Sequence, residues 1–534
     1  MNLPAKKRFM KELLQGIVNY TVDDLISFFL EDSPLSFLRA PAGYGKTACA
    51  LAYLITESFA GNRGAIFFRT RAEVNQALRL LSRMISNLPR KTIDHLSVIP
   101  LVGKDFYCRY PPEKKSLVKW WCRIIHCNFL SRYRSQELMD LLSQNVYDSL
   151  KKYYNIARDL DLCPYYVYQR LSENADIVLT THPYIIRQSF LNRIGERSIV
   201  IIDEAHNLLK SITAKISKRE YAQGESLERT MHNQNIDQDR FLATLFYQRR
   251  EKDLLILARY LKFQEEEGTI IGERSHLIKI VPPIQIIDRL LSRSKVILMS
   301  STLYPISLYK TLFANKRPVR EHIIKGFIRS TSRRKLAILK SGITSKFNER
   351  GDKTFWRYTS IIKKIYDSIK ENIIVFAPSK NFAEKLAKYI GAPILLEEPN
   401  RLMESLGISD LKDVPIIISV ARSKLAEGID LSYKGFTPRI LLVIGLPFPK
   451  ITQEDRIIIQ FYSKIYNIKE PLLRKSLSLS SMFSALIQTI GRIGRKEKGF
   501  AIIVDDRILN FNLGIPVYNN LDQLVADVRS FLVS

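Results

Sequence analysis

The chain runs to 534 residues, 46% hydrophobic and 25% charged, too long for a single core and too apolar for a disordered polymer, so three or four packed units are expected. No apolar run reaches bilayer length, and the start, MNLPAKKRFMKELL, lacks a signal peptide's apolar stretch, so no membrane partner and a cytoplasmic location are expected. A formal charge of +29 carries a self-repulsion that a polyanion offsets most simply; this points to nucleic acid without separating DNA from RNA, a solvated basic surface being the plainer alternative.

Residues 34 to 90 read as α/β. The apolar run PLSFLRA leads into APAGYGKT, whose backbone amides at Ala42, Gly43, Tyr44 and Gly45 can curl around phosphates. Lys46 sets a cation against the terminal phosphates, and Thr47 offers magnesium a hydroxyl at the start of the helix through ACALAYLI. Ala40 stands where the common pattern has its first glycine. A second strand, GAIFFRT, precedes the amphipathic helix RAEVNQALRLLSRMI, and Thr70 and Arg71 at the strand end suit contacts to a nucleic-acid backbone.

From 91 to 164 the pattern breaks into aromatic, basic and cysteine-bearing sequence. Strand and helix alternation returns with ADIVLTTH and SIVIIDEAH. There Asp203 can hold magnesium and Glu204 can orient and deprotonate an attacking water. A phosphate loop followed by such a carboxylate pair describes an ATP site. Residues 208 to 290 are polar and helix-rich, centred on DRFLATLFYQRREKDLLILARYLKF, and KVILMSSTL then rejoins the α/β theme, its small hydroxyls placed to couple two halves. A second α/β series follows: ENIIVFAPS, PIIISVA, RILLVIGLP and GFAIIVDD. Within it ARSKLAEGID carries Glu427, Gly428 and Asp430, which could bridge nucleotide and nucleic acid. QTIGRIGR places Gln488, Arg492 and Arg495 on one helix at spacings of four and three, which project them onto one face. Arginines aimed at a cleft suit the charge that develops on a γ-phosphate.

Four of the five cysteines, Cys108, Cys122, Cys127 and Cys163, fall where the α/β pattern breaks. Clustered thiols in a cytosolic chain suggest metal rather than disulfides, and the wide gaps fit an iron–sulfur cluster stapling an irregular insertion, with zinc or no metal as alternatives. His126 is a candidate substitute for Cys127, while Cys49, on the phosphate-loop helix, reads as a small core residue. Lys114, Lys115, Lys119 and Arg123 interleave with Tyr107, Tyr110, Trp120 and Trp121, a mixture suited to single strands or, alternatively, to the core of a small domain.

In this order the motifs resemble those of superfamily 2 helicases, specifically the XPD/Rad3 family with its DinG relatives, and most closely its archaeal members. APAGYGKT looks like motif I, FFRTR Ia, DEAH II, SSTL III, VFAPS IV, ARSKLAEGID with GLPFP V, and QTIGRIGR VI. The resemblance covers nearly the whole chain. It implies an α/β fold of two RecA-like motor domains, parallel sheets flanked by helices, that clamp ATP and walk 5′ to 3′ on single-stranded DNA. It also implies catalytic roles for Lys46, Asp203, Glu204, Gln488, Arg492 and Arg495, and extends the DNA contacts at Thr70 and Arg71 to Ser379. A four-iron, four-sulfur cluster on the four clustered cysteines is implied too, although four residues (RIIH) separate the middle pair where the family typically has two.

The expected layout is a first motor domain of 1–90, 165–207 and 291–325, an iron–sulfur domain of 91–164, a small helical Arch-like insertion of 208–290, and a second motor domain of 326–534. That insertion looks short for an Arch, and Gln15 is only a candidate adenine reader. The leading reading is a monomeric ATP-dependent DNA helicase of repair type, meeting single-stranded DNA, DNA junctions and repair proteins. A translocase or remodeller without strong unwinding is one alternative, and a non-motor binding scaffold another.

Overall fold

The computed structural model describes residues 1–18, 22–86, 88, 96–127, 149–159, 162–273, 275–315, 317–324, 333–393, 414–423, 438–494, 497–511 and 513–533; Glu427, Gly428, Asp430 and Arg495 lie outside this set. Its strands in chain order are β1 (Leu35–Arg39), β2 (Gly64–Phe68), β3 (Val98–Leu101), β4 (Ile177–Thr181), β5 (Ile199–Asp203), β6 (Ile212–Ser217), β7 (Thr269–Glu273), β8 (His276–Ile280), β9 (Lys295–Ser300) and β10 (Arg320–Ile323). The second half adds β11 (Arg334–Leu339), β12 (Ile373–Ala377), β13 (Ile416–Val420), β14 (Ile440–Ile444), β15 (Gly499–Val504) and β16 (Val517–Tyr518).

Seven strands form the first sheet in the order β10-β1-β9-β5-β2-β4-β3, and six form the second, β13-β12-β14-β15-β11-β16. Every pairing in both is parallel. Parallel strands are covered on both faces, which is why GAIFF, IVIID and ILLVI are buried at every position. Side chains of the second sheet divide by parity. Ile373, Val375 and Ala377 meet the helices Asp352–Ile369, Lys380–Ile390 and Leu521–Val533, while Ile374 and Phe376 meet Glu470–Ile490. Each fully buried Leu, Ile or Phe contributes roughly 1.5–3 kcal/mol. The fold is α/β with two RecA-like domains, as expected.

The register sets the chemistry. Strands β1, β9 and β5 are neighbours, with Arg39 opposite Ser300 and Asp203 opposite Met299. The phosphate loop, SSTL and DEAH therefore leave one sheet edge side by side. β3 also belongs to this sheet, so part of the 91–164 segment is first-domain structure.

The 208–290 segment is helical at its centre (Lys218–Asn233, Gln238–Tyr247, Glu251–Glu265), and it adds an antiparallel sheet, β6-β8-β7, that local pattern did not show. Its helices approach closely at Gly224, where a Cβ would lie 2.3 Å from Cβ of Tyr260. From Pro283 the chain returns to the first domain, burying Ile286, Ile287 and Leu290 in its core. The lobe's own core includes Phe241, Leu257 and Phe263, joined by Leu117, Trp120 and Ile124 of the cysteine region. Two insertions separated in sequence thus share one hydrophobic cluster.

The halves also interlock. The helix Gln453–Tyr466 lies in the second half of the sequence, yet its Ile457, Ile458, Ile459 and Tyr462 are buried in the first domain's core. Tyr462 donates from its hydroxyl to the Leu209 carbonyl at 3.1 Å, and Tyr466 to that of Leu312 at 3.0 Å. In return Ala42 and Tyr304 pack against the second core, with the Tyr304 and Phe483 rings edge to face at 4.8 Å.

Candidate active site

Gly43 and Gly45 both take φ of +80°, a left-handed geometry that glycine adopts without strain. They turn the loop so that the helix Lys46–Ser58 begins beneath it, its amides facing the bend. That helix is buried nearly all round, with Cys49 fully enclosed and its thiol pushed up to about 12 by burial. Cys49 is core, as expected. Tyr44 donates from its hydroxyl to Asp24 Oδ2 at 3.1 Å, tying the loop to the N-terminal helices.

Lys46 Nζ donates to the carbonyls of Ala40 and Pro41 at 2.8 and 3.0 Å. Burial lowers its pKa, opposed by Glu204 and Asp203. Thr47 Oγ1 donates to Asp203 Oδ2 at 2.9 Å. The hydroxyl and carboxylate needed for a magnesium ion thus already share one point, and this hard oxygen pair fits the ion. Magnesium held there would neutralise phosphate charge. Burial and the neighbouring Glu204 raise the Asp203 carboxyl. Burial would raise Glu204 as well, but His206, Lys46 and Ser300 outweigh it and keep this carboxylate ionised. An ionised, hydrogen-bonded carboxylate beside a magnesium site is equipped to orient and deprotonate water.

Glu204 sits in the left-handed region, at φ 48°, as the chain turns from β5 into a tight 3-10 segment, Ala205–Lys210. That turn brings His206 back against the sheet edge. Its Nδ1 lies 3.0 Å from Ser300 Oγ, 2.6 Å from Thr302 Oγ1 and 3.2 Å from Glu204 Oε2. Ser300 in turn donates to Glu204 Oε2 at 2.7 Å. The other ring nitrogen, Nε2, lies 3.0 Å from Ser484 Oγ on the second domain. The small hydroxyls of SSTL were expected to couple the halves; the imidazole that completes the link was missed, and so was Ser484. The histidine of DEAH was the available signal.

Gln488 lines a cleft of about 290 Å³ between the domains, together with Arg69, His206, Lys210, Arg422 and Ser484. One expectation fails here. The helix Glu470–Ile490 stops at Gly491, so Arg492 lies in the turn beyond it and shares no helical face with Gln488. Beyond this turn Gly494 has φ +71° and packs so tightly that a Cβ would be 2.6 Å from the Arg333 carbonyl.

The three candidate DNA contacts all start helices or abut them. Thr70 and Glu73 cap the helix Arg71–Ser86 reciprocally, at 2.9 and 3.3 Å. Arg71 reaches Asp105 at 3.3 Å and lies over the Phe106 ring. Ser379 accepts from the Phe382 amide at 3.4 Å and caps Lys380–Ile390.

Cys108 ends one short helix, Cys122 sits in another, and Cys163 caps Pro164–Asn174. Cys127 returns its amide to the Cys122 carbonyl at 2.8 Å, while His126 points into solvent. Of the aromatics read as stacking groups, Tyr107 and Trp120 are core residues and Tyr110 is 59% exposed. Among the described residues no three of His, Cys, Asp or Glu converge as a single-ion shell, and no helix is long and apolar enough to cross a membrane.

Comparison with known proteins agrees with this geometry. Residues 66–220 match the DEAD_2 family and residues 362–523 the helicase C-terminal domain. The ATP-dependent DNA helicase XPD of Sulfolobus acidocaldarius is 23% identical over 525 residues, covering 88% of this chain and 92% of that protein. The ATP-dependent DNA helicase CHL1 of Kluyveromyces lactis is 23% identical over 556 residues, 78% of this chain and 66% of that one. A solved XPD helicase superposes with a TM-score of 0.63 at 19% identity, over 97% of this chain and all of that one, and so supports the fold. With the ATP edge, the two RecA-like domains and these relatives together, the chain belongs to the XPD/Rad3 family of superfamily 2 helicases and is an ATP-dependent DNA helicase.

Proposed function

We propose that this helicase moves 5′ to 3′ on single-stranded DNA as a cytoplasmic monomer, parts duplexes beside its cysteine-bearing domain, and serves DNA repair at junctions with repair proteins. The observation that supports this reading is the core that the cysteine region shares with the lobe, where Leu117, Trp120 and Ile124 pack among Phe241, Leu257 and Phe263. Burial raises the Cys108 thiol, and Cys122 and Cys127 add to the rise. Cys163 is pushed up to about 11 by burial, with Cys122 again contributing. Cys122 thus lies near both Cys108 and Cys163, and Cys127 near Cys108.

A cation stands among them. Lys104 hydrogen-bonds Cys122, and its charge opposes part of the rise at Cys108 and Cys163. Four cysteines with wide gaps in sequence suit a four-iron, four-sulfur cluster on Cys108, Cys122, Cys127 and Cys163, as the family resemblance implies. When bound, the cluster would supply rigid covalent bracing to a segment with little core of its own. The chain's own residues do the rest: Leu117, Trp120 and Ile124 seat the cysteine region against the lobe as one wedge on the first motor. The 5′ to 3′ direction follows the family resemblance. The repair role is supported by a yeast relative, 27% identical over 241 residues, named as the XPD/RAD3 helicase subunit of general transcription and DNA repair factor IIH.

Strand displacement on 5′- and 3′-tailed duplexes tests the direction, with anaerobic protein assayed for iron and sulfide beside it. Unwinding should need a 5′ tail, and Cys122→Ser should lose iron and unwinding while retaining most ATP hydrolysis. A 3′ preference overturns the polarity. Hydrolysis without displacement on either substrate makes the protein a translocase, and stoichiometric zinc with full unwinding removes the cluster.

A further inference from the structure

We infer that Ser484 is a positioning residue for ATP hydrolysis, through which the second motor domain orients His206 and, with it, the Glu204 carboxylate. The helix Glu470–Ile490 turns one stripe toward the first domain: Ser480 meets the Tyr309 hydroxyl, Phe483 the Tyr304 ring, and Ser484 the His206 ring. Spacings of three and four place these on one helical face. Ser484 is the member of that stripe that touches a residue bonded to the water-activating carboxylate.

Hydrogen-bond accounting gives the contact its role. Ser300 spends its own proton on Glu204 Oε2 at 2.7 Å, so its oxygen is left to accept, and it does so from the Thr302 amide at 3.0 Å. His206 Nδ1, facing Ser300, Thr302 and Glu204, is best satisfied as an N–H donor. A neutral imidazole with its proton on Nδ1 must accept at Nε2, and Ser484 Oγ is 3.0 Å away with a hydroxyl to give. Ser484 thereby holds the tautomer that presents a donor toward Glu204. Without that donor the ring can move its proton to Nε2 and turn a lone pair toward the carboxylate, which misplaces the charge meant for the attacking water.

The bond spans two domains, so it exists only while the helix Glu470–Ile490 is docked against the first sheet. Single-stranded DNA that bridges both motors favours that docking. Glu204 is then oriented chiefly in the closed state, and hydrolysis follows DNA engagement.

The test compares Ser484→Ala and Ser484→Thr with the parent full-length chain, by steady-state ATP hydrolysis with and without oligo-dT and by thermal melting. Ser484→Ala should lower DNA-stimulated kcat by about tenfold, the range expected for one positioning hydrogen bond. KM for ATP and Tm should stay near parental values, and Ser484→Thr, which keeps the hydroxyl, should restore most of the stimulation. A second Ser300→Ala change should add less to Ser484→Ala than it costs alone, because both act through the same ring. Unchanged stimulation in Ser484→Ala overturns the inference. So does a loss that appears equally in KM and Tm, or one that Ser484→Thr fails to recover.

Discussion

The carboxyl edges of the two parallel sheets carry the same kind of residue under opposite electrostatics. On the first, Asp203 and Glu204 end β5 as a like-charged pair, and burial with the neighbouring charge raises Asp203. On the second, Asp505 follows β15 fully buried, and it is saturated. It accepts from the Ser345 amide and hydroxyl at 3.1 and 2.9 Å, from the Leu446 amide at 3.1 Å, and from Arg507 at 2.6 Å. Burial would raise Asp505, but Arg507 and these donors hold it below the usual carboxylate range. One edge offers carboxylate oxygens to a metal, and Lys46 with the loop amides to phosphates. The other uses its carboxylate to bind the ends of β11, β14 and β15 together. The difference separates poised chemistry from structural bracing on one architecture.

The largest effect should come from the poised edge. Lys46→Ala or Glu204→Gln should cut DNA-stimulated ATP turnover by roughly a hundredfold or more, since each removes transition-state stabilisation of several kcal/mol. Lys46 bonds the carbonyls just past β1, and Glu204 bonds Ser300 at the end of β9. Removing a buried charge offsets the loss of these bonds, so melting temperature should change little. Turnover near the parent's would break the assignment; an equal collapse in stability would break the comparison.

How much of this was legible follows from sequence locality. The ATP edge is made of strand-turn units, and APAGYGKT, IIDEAH and SSTL each carry strand and chemistry within a few residues, so fold class and Lys46, Thr47, Asp203 and Glu204 could be read directly. The lobe's sheet was missed because β6 pairs with β8 across a helical stretch that dominates the local pattern, leaving only the short β7–β8 hairpin as a local signal. Trp120 could not be assigned to the lobe core from its neighbours, since its partners lie more than a hundred residues away at Phe241 and Leu257. The packing of Ile457 and Tyr462 in the first domain's core was hidden for the same reason. Arg492 failed differently: periodicity carried the helix past Gly491, where the chain instead turns toward the left-handed Gly494.

The bracing edge gives the next effect. Asp505→Asn leaves Arg507 without its charge partner, and losing one member of a buried pair costs about 3 kcal/mol or more. Arg507 retains 19% side-chain exposure, which argues for the lower end. Urea denaturation should show the second domain unfolding earlier, while ATP turnover per folded molecule at low temperature stays close to the parent's. Turnover lost with stability intact would make Asp505 part of the chemistry and dissolve the contrast.

The smallest effect is a difference in the sign of pH dependence, measured in chelator-containing buffer so that no divalent ion contributes. Asp505 has its folded pKa depressed, so its stabilisation is complete above the unfolded value of about 3.9 and is lost as pH falls through the folded one. Asp203 has its folded pKa raised. Between the unfolded and folded values the native state holds the extra proton, so stability declines as pH rises through that window. Asp203→Asn should therefore flatten a decline on the alkaline side of pH 4 and leave the fold slightly more stable at neutral pH, although inactive. Asp505→Asn should instead remove part of the loss seen below pH 4, on top of its uniform cost. Unfolding free energies at half-unit steps from pH 3 to 8 give both slopes. Two slopes of the same sign would mean that the edges are not electrostatic opposites, and that Lys46 compensates Asp203 as fully as Arg507 compensates Asp505.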